Sequence, residues 1–147
     1  MKKNLLALLV VALSFCGCSY DKYEVGSELQ VYYDDAPANG WHDSAIPEGQ
    51  PGFYVYQQFR FPEITNSVME DGAVMVYLCE GDNDVPLPNV FPLADGRNVV
   101  TENMRFEVKK GLITVILEWS DFKFHDNLND YKFKFCILTP SMKTKVY

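Results

Sequence analysis

Several groups of residues in this chain have types and spacings that could do chemistry. Cys16 and Cys18 in SFCGC stand two positions apart, as a metal-binding or redox pair could. His42-Asp43 and His125-Asp126 each set an imidazole beside a carboxylate, the ingredients of a general base and its orienting acid. Glu80, Asp82 and Asp84 in EGDND place carboxylates at alternating positions, as calcium loops do. The histidine pairs fail on geometry, because neighbours in an extended strand point to opposite faces. EGDND lacks the following glycine and the distant bidentate glutamate of the helical calcium loop, so it reads as a solvated hairpin turn. Asp121, Asp126 and Asp130 read in the same way, as polar residues of a loop. No zinc-binding helix motif, nucleophile elbow or phosphate loop occurs. The expectation is no metal, no cofactor and no catalytic residue, hence no enzyme. A pair of carboxylates facing each other across a cleft is the one catalytic arrangement that leaves no local signature.

The flanks of the cysteine pair explain it. Met1-Lys2-Lys3 supplies positive charge, Leu5 to Phe15 is almost wholly apolar, and Gly17 is a small residue just before Cys18. That is the layout of a secretory signal. Its 11 apolar-run residues, Leu5 to Phe15, would reach only about 16 Å as a helix, short of a hydrocarbon core of about 30 Å. Phe15-Cys16-Gly17-Cys18 resembles the lipobox that ends bacterial lipoprotein signals, with Gly17 at the small position and Cys18 as the acceptor. The resemblance implies a diacylglyceryl thioether on Cys18, cleavage before it, and acylation of the new amino group. Two or three acyl chains suffice for stable anchoring. Residues 1–17 are then the signal, 18–27 a lipidated tether and 28–147 the folded domain. Ser19 after the cysteine favours the outer membrane by analogy, and Asp21 and Glu24 loosely resemble an acidic surface-export signal. The expected location is the cell envelope, anchored in the outer membrane by lipid.

Removing residues 1–17 from 147 leaves 130, one ordinary domain. The precursor carries −7, and losing Lys2 and Lys3 makes it −9. The charge is uneven: residues 18–95 hold 14 acidic and 2 basic side chains, residues 96–147 hold 6 and 9. A net acidic chain without a concentrated basic patch argues against nucleic acid and against electrostatic docking on anionic lipid. Cys79 and Cys136 sit in apolar strand-like runs and read as two buried thiols rather than a bonded pair.

Period-two alternation dominates the rest. ELQVYYDD puts Leu29, Val31 and Tyr33 on one face, and GFYVYQQFRF puts Phe53, Val55, Phe59 and Phe61 opposite Tyr54, Tyr56, Gln58 and Arg60. AVMVYLCE is apolar on both faces and reads as a central strand; MRFEVKKG and LITVILEWS read as a hairpin through Lys110-Gly111. DFKFHD, with Phe122 and Phe124, and YKFKFCILT also alternate. VPLPNVFPL carries three prolines and reads as an edge or a long connection. EITNSVMEDG is the one stretch that could form a helical turn. The expected fold is all-β, a single antiparallel sandwich of about seven to eight strands. Val74, Val76, Leu78, Ile113, Val115, Leu117, Phe133, Phe135 and Ile137 should face its core.

The order FPEIT, DGAVMVYL, PLP, a strand pair and then YKFKFCILTP resembles small secreted lipoproteins of Bacteroides-type gut bacteria, over roughly residues 25–140. That resemblance implies an immunoglobulin-like sandwich and no assigned activity. Aromatic side chains make up 14% of the chain; phenylalanines at alternating positions are most simply core, and tyrosines on the polar faces read first as edge cover and half-buried packing. Trp41 lies in a Gly/Pro-rich stretch where a loop could present it, and Tyr54 and Tyr56 beside Arg60 could stack on a sugar or anchor a partner. These four are the candidate ligand-binding residues. The functional expectation is a non-catalytic envelope lipoprotein, a binding or scaffolding module whose ligand, protein or glycan, is unknown; the alternative is a glycan-binding lipoprotein of a polysaccharide-uptake system. Coplanar exposed aromatics would favour the glycan, and a long open edge strand would favour protein assembly.

Overall fold

The computed structural model describes residues 24–95, 98–125 and 128–144. Residues 1–17, expected to be the signal, Cys18, the first part of the expected tether and Asp126 lie outside them. In chain order the elements are β1 (Glu24–Ala36), β2 (His42–Asp43), β3 (Val55–Arg60), α1 (Asn66–Asp71), β4 (Ala73–Glu80), β5 (Asn83–Pro86), β6 (Asn89–Asp95), β7 (Asn98–Lys109), β8 (Leu112–Trp119) and β9 (Tyr131–Thr144). The strands form two antiparallel sheets, ordered β1-β9-β4-β5 and β2-β3-β8-β7-β6. The expected antiparallel sandwich is present, with nine strands among the described residues rather than seven or eight. The first strand starts at Glu24, inside the stretch 18–27 read as a tether.

The sheets close on each other through the apolar rows the alternation marks. Val55, Phe59, Ile113, Val115 and Leu117 face Val76, Leu78, Phe133, Phe135 and Ile137, all buried, with Val74 half-buried at the margin. Aromatic rings fill the middle: Phe135 lies 4.8 Å from Phe59 and 4.9 Å from Phe61, centroid to centroid. The β7–β8 hairpin turns at Lys110-Gly111, where φ of +74° needs glycine. The proline-rich segment divides between β5 and β6, the outer strands of opposite sheets, because proline has no N–H to give a central ladder. Residues 66–71 form the one α-helix described, started by Thr65 Oγ1 accepting the Val68 N–H and ended where the Gly72 N–H meets the Val68 carbonyl.

Two expectations are corrected. Residues 121–125 of DFKFHD form a turn and loop, not a strand; Phe122 sits at φ +61°, outside the extended region. Cys79 and Cys136 are both free thiols, but only Cys136 is buried and Cys79 is half-exposed. β1 holds a third result. Its apolar row of Leu29, Val31 and Tyr33 points out into solvent, while Gln30, Tyr32 and Ala36 turn toward the other sheet. The register fixes this: Tyr32 pairs with Phe135 and Gln30 with Ile137, so these must share the inward face of β9.

Candidate functional site

Trp41 follows a short 3-10 turn at Ala38–Gly40 and sits half-buried, edge-on to Tyr131 at 5.9 Å. Its indole nitrogen is buried with no hydrogen-bond partner among the described residues. The ring lines a cleft of about 500 Å³ together with Asp43, Ser44, Ile46, Glu48 and Phe124. Two loops build that cleft and are tied together. Gly49 N–H donates to the Phe122 carbonyl at 2.7 Å, and Phe124 N–H donates to Glu48 Oε1 at 3.0 Å. Apolar floor, one indole and two carboxylates make a surface able to take a small polar ligand.

Tyr54 and Tyr56 stand on the outward face of β3, as the alternation predicts. Their rings are 6.1 Å apart and tilted by 57°, and Tyr56 also packs on His42 at 5.7 Å. They line a second, smaller cleft of about 310 Å³ that shares Asp43, Ser44 and Ala45 with the first. Trp41, Tyr54 and Tyr56 therefore gather around one loop. Arg60 does not join them: it is exposed at the far end of β3, paired with Leu112, and lines neither cleft. The tilted tyrosines form no flat platform of the kind a sugar ring stacks on.

A third cleft, of about 230 Å³, opens between the sheets beside Glu80, Glu102, Trp119, His125 and Tyr131. Glu102 is the buried acid among the described residues, 8% exposed, and accepts a hydrogen bond from Trp119 Nε1–H at 3.0 Å. Burial, and then the charge of Glu102, pushes the Tyr131 phenol up to about 12. Glu80 is on the exposed rim. His125 pairs with Asp121 at 2.7 Å, four residues back. Burial raises the Asp121 carboxyl, but bonds from His125 and from the Lys123 N–H outweigh it and hold the carboxyl below its ordinary range. Sequence reasoning missed Glu102. The signal was there: it falls in step with Val100, Met104, Phe106 and Val108, a carboxylate in an otherwise apolar inward row.

The outer face of the β1-β9-β4-β5 sheet is the opposite case, apolar where a sandwich is usually polar. Leu29, Val31, Tyr33 and Met75 are 54%, 44%, 58% and 40% exposed. They are neighbours across the sheet: Leu29 pairs with Leu138, while Val31 and Met75 flank Cys136 from opposite sides. Lys132 and Lys134 of β9 are already engaged there. Lys134 Nζ bonds Asp84 Oδ2 at 2.7 Å and lies 5.4 Å from the Tyr77 ring, and Lys132 lies 5.8 Å from the Tyr33 ring. The bond from Lys134 lowers the Asp84 carboxyl and raises the lysine in return. That lysine occupies the last member of EGDND, which is thereby committed to a cross-strand pair. Burial, followed by the Asp84 charge, pushes the Cys79 thiol up and away from the reactive thiolate.

No family model, curated protein or solved structure matches this chain.

Proposed function

We propose that this protein is a non-catalytic lipoprotein of the bacterial envelope, held in the outer membrane by lipid on Cys18, whose sandwich binds another protein on the outer face of the β1-β9-β4-β5 sheet. The observation that carries the binding face is the contiguous exposure of Leu29, Val31, Tyr33 and Met75. Single exposed apolar residues are ordinary, but four grouped on one face mark a surface that another molecule covers. Covering it gains about 25 cal/mol for each Å² of apolar area removed from water. The anchor is supported by the charged, apolar and small-residue order that ends at Gly17-Cys18.

Cys18→Ala should move the protein from the membrane fraction to the soluble fraction and remove the acyl mass; membrane association without change would overturn the anchor. A photo-crosslinking side chain placed at Met75 in the membrane-bound protein should give a discrete protein adduct. The same group at Val99, which is 72% exposed on the other sheet, should give none. Equal labelling from both positions would overturn the binding face.

A glycan-binding role in a polysaccharide-uptake system is the second reading, favoured by the cleft that sets the Trp41 indole among Asp43, Ser44 and Glu48. Polysaccharide retention lost in Trp41→Ala, with no adduct at Met75, would select it.

A further inference from the structure

We propose that the free edge of β1 accepts an extended, basic segment of another protein as a fifth strand of the β1-β9-β4-β5 sheet. This rests on the protein-binding reading above and names how the partner docks and what it is made of. Among the described residues β1 is the outermost strand of its sheet, so the backbone N–H and C=O groups that do not bond β9 point away from the sheet, the Asp35 N–H donating to Asp34 Oδ1 at 2.9 Å. From Glu28 to Ala36 its register with β9 runs through nine positions without a bulge or a proline. The irregularity lies earlier, between Val25 and Ser27. Such an edge is a template for main-chain pairing.

The side chains along it say what would pair. The outward row, Leu29, Val31 and Tyr33, would lie beside apolar residues of an added strand and continue the exposed apolar face. The other row carries Glu28 and Asp34, both exposed, and no lysine or arginine occurs between Glu24 and Ala36. Glu63 lies beside the same row: burial and then the charges of Glu63 and Glu28 push the Tyr32 phenol up. Carboxylates turned inward along an edge repel a neutral or acidic strand, and they suit a strand that brings lysine or arginine opposite them. The fitting segment therefore alternates apolar residues with polar positions, two of them basic and six residues apart, matching the spacing of Glu28 and Asp34.

A second copy of this chain fits poorly. The two-fold pairing that centres the apolar row on itself, Val31 opposite Val31, sets Glu28 against Asp34 twice. β9 shows the favoured chemistry inside the fold. It lies along the other side of β1, alternates lysine with aromatic residues, and sets Lys132 opposite Asp35.

The test uses the full-length protein in detergent micelles and synthetic peptides spanning the nine positions from Glu28 to Ala36. The peptides share a valine and isoleucine row and carry Lys, Gln or Glu at the two charge positions. The lysine peptide should bind about tenfold or more tightly than the glutamate peptide, with the gap narrowing at high salt. The double variant Glu28→Lys, Asp34→Lys should reverse that order, a result that loss of folding cannot produce. Val31→Lys, checked for intact circular dichroism, should weaken all three. Equal binding of the three peptides, or an unreversed order in the double variant, would overturn strand addition. So would a concentration-dependent homodimer abolished by Val31→Lys. If the Met75 adduct survives any of these outcomes, protein binding stands and only this docking mode falls; if the adduct is absent as well, both fall.

Discussion

Phe135→Ala should lower the unfolding free energy by about 3–5 kcal/mol. The side chain is fully buried, and its ring touches Phe59, Phe61 and Phe133 at centroid distances of 4.8, 4.9 and 6.2 Å. It also sits on β9 between Tyr32 of β1 and Val76 of β4, so strands on both sides pack against it. Truncation removes apolar area and leaves a cavity lined by stiff aromatic rings that cannot collapse into it. A domain of this size has about 5–15 kcal/mol in total, so the variant approaches unfolding at 37 °C. Tyr56→Ala is the comparison. Tyr56 is half-exposed and packs only against Tyr54 and His42 among the ring pairs, so about 1 kcal/mol is expected. Urea denaturation of both variants measures the difference. Equal losses would mean that the sandwich does not centre on Phe135.

The alternation that located Phe135 works for β3, β8 and β9 because in each the row richer in large apolar residues is the one packed in the core, even though β8 also buries Ile116 on its other row. It fails to orient β1 for a specific reason. Alternation says which residues share a face, never which face turns inward. For Leu29, Val31 and Tyr33 the decision is made by pairing with β9, about a hundred positions later in the chain, and no local signal encodes it. The position of β9 between β1 and β4 is likewise invisible in sequence. Around residues 121–125 the pattern is present but the backbone is not extended: Phe122 has a positive φ, and its carbonyl bonds Gly49.

The candidate site was legible to the same depth. Trp41 was placed in a loop by its Gly and Pro neighbours, and Tyr54 and Tyr56 were placed outward by Phe53 and Val55 turning in. Arg60 shares their face, but alternation carries no distance, and two more steps along β3 take it out of both clefts. The cleft at Trp41 is closed by Phe124 and Leu128, which sequence could not bring to Glu48. EGDND reads as a hairpin turn and does turn β4 into β5; what the sequence does not show is that Asp84 pairs with Lys134, fifty positions away.

Gly72→Ala should cost about 3 kcal/mol, more than alanine at a glycine whose backbone demands glycine. Gly72 has φ of −100°, which any residue adopts, so backbone strain plays no part. Space decides instead. A methyl group there would run into the backbone carbonyl of Leu138 on β9, and into the carbonyl and Cα of Val68 in α1. All three are main-chain atoms held in place, the Val68 carbonyl by the Gly72 N–H itself at 3.0 Å. Relief therefore requires α1 to move off β9 or the β4–β9 ladder to shift beside the Ala73–Leu138 pair. Gly81→Ala is the opposite case. Its φ of +60° disfavours alanine by about 1–2 kcal/mol, but a methyl group there meets nothing. Denaturation midpoints for the two variants should rank Gly72→Ala as the less stable. Leu138 also pairs with Leu29 on the proposed binding face. Gly72→Ala should therefore weaken binding there as well as stability, whereas Gly81→Ala should leave binding intact. The reverse order of midpoints would show that α1 does not press on β9 at this glycine.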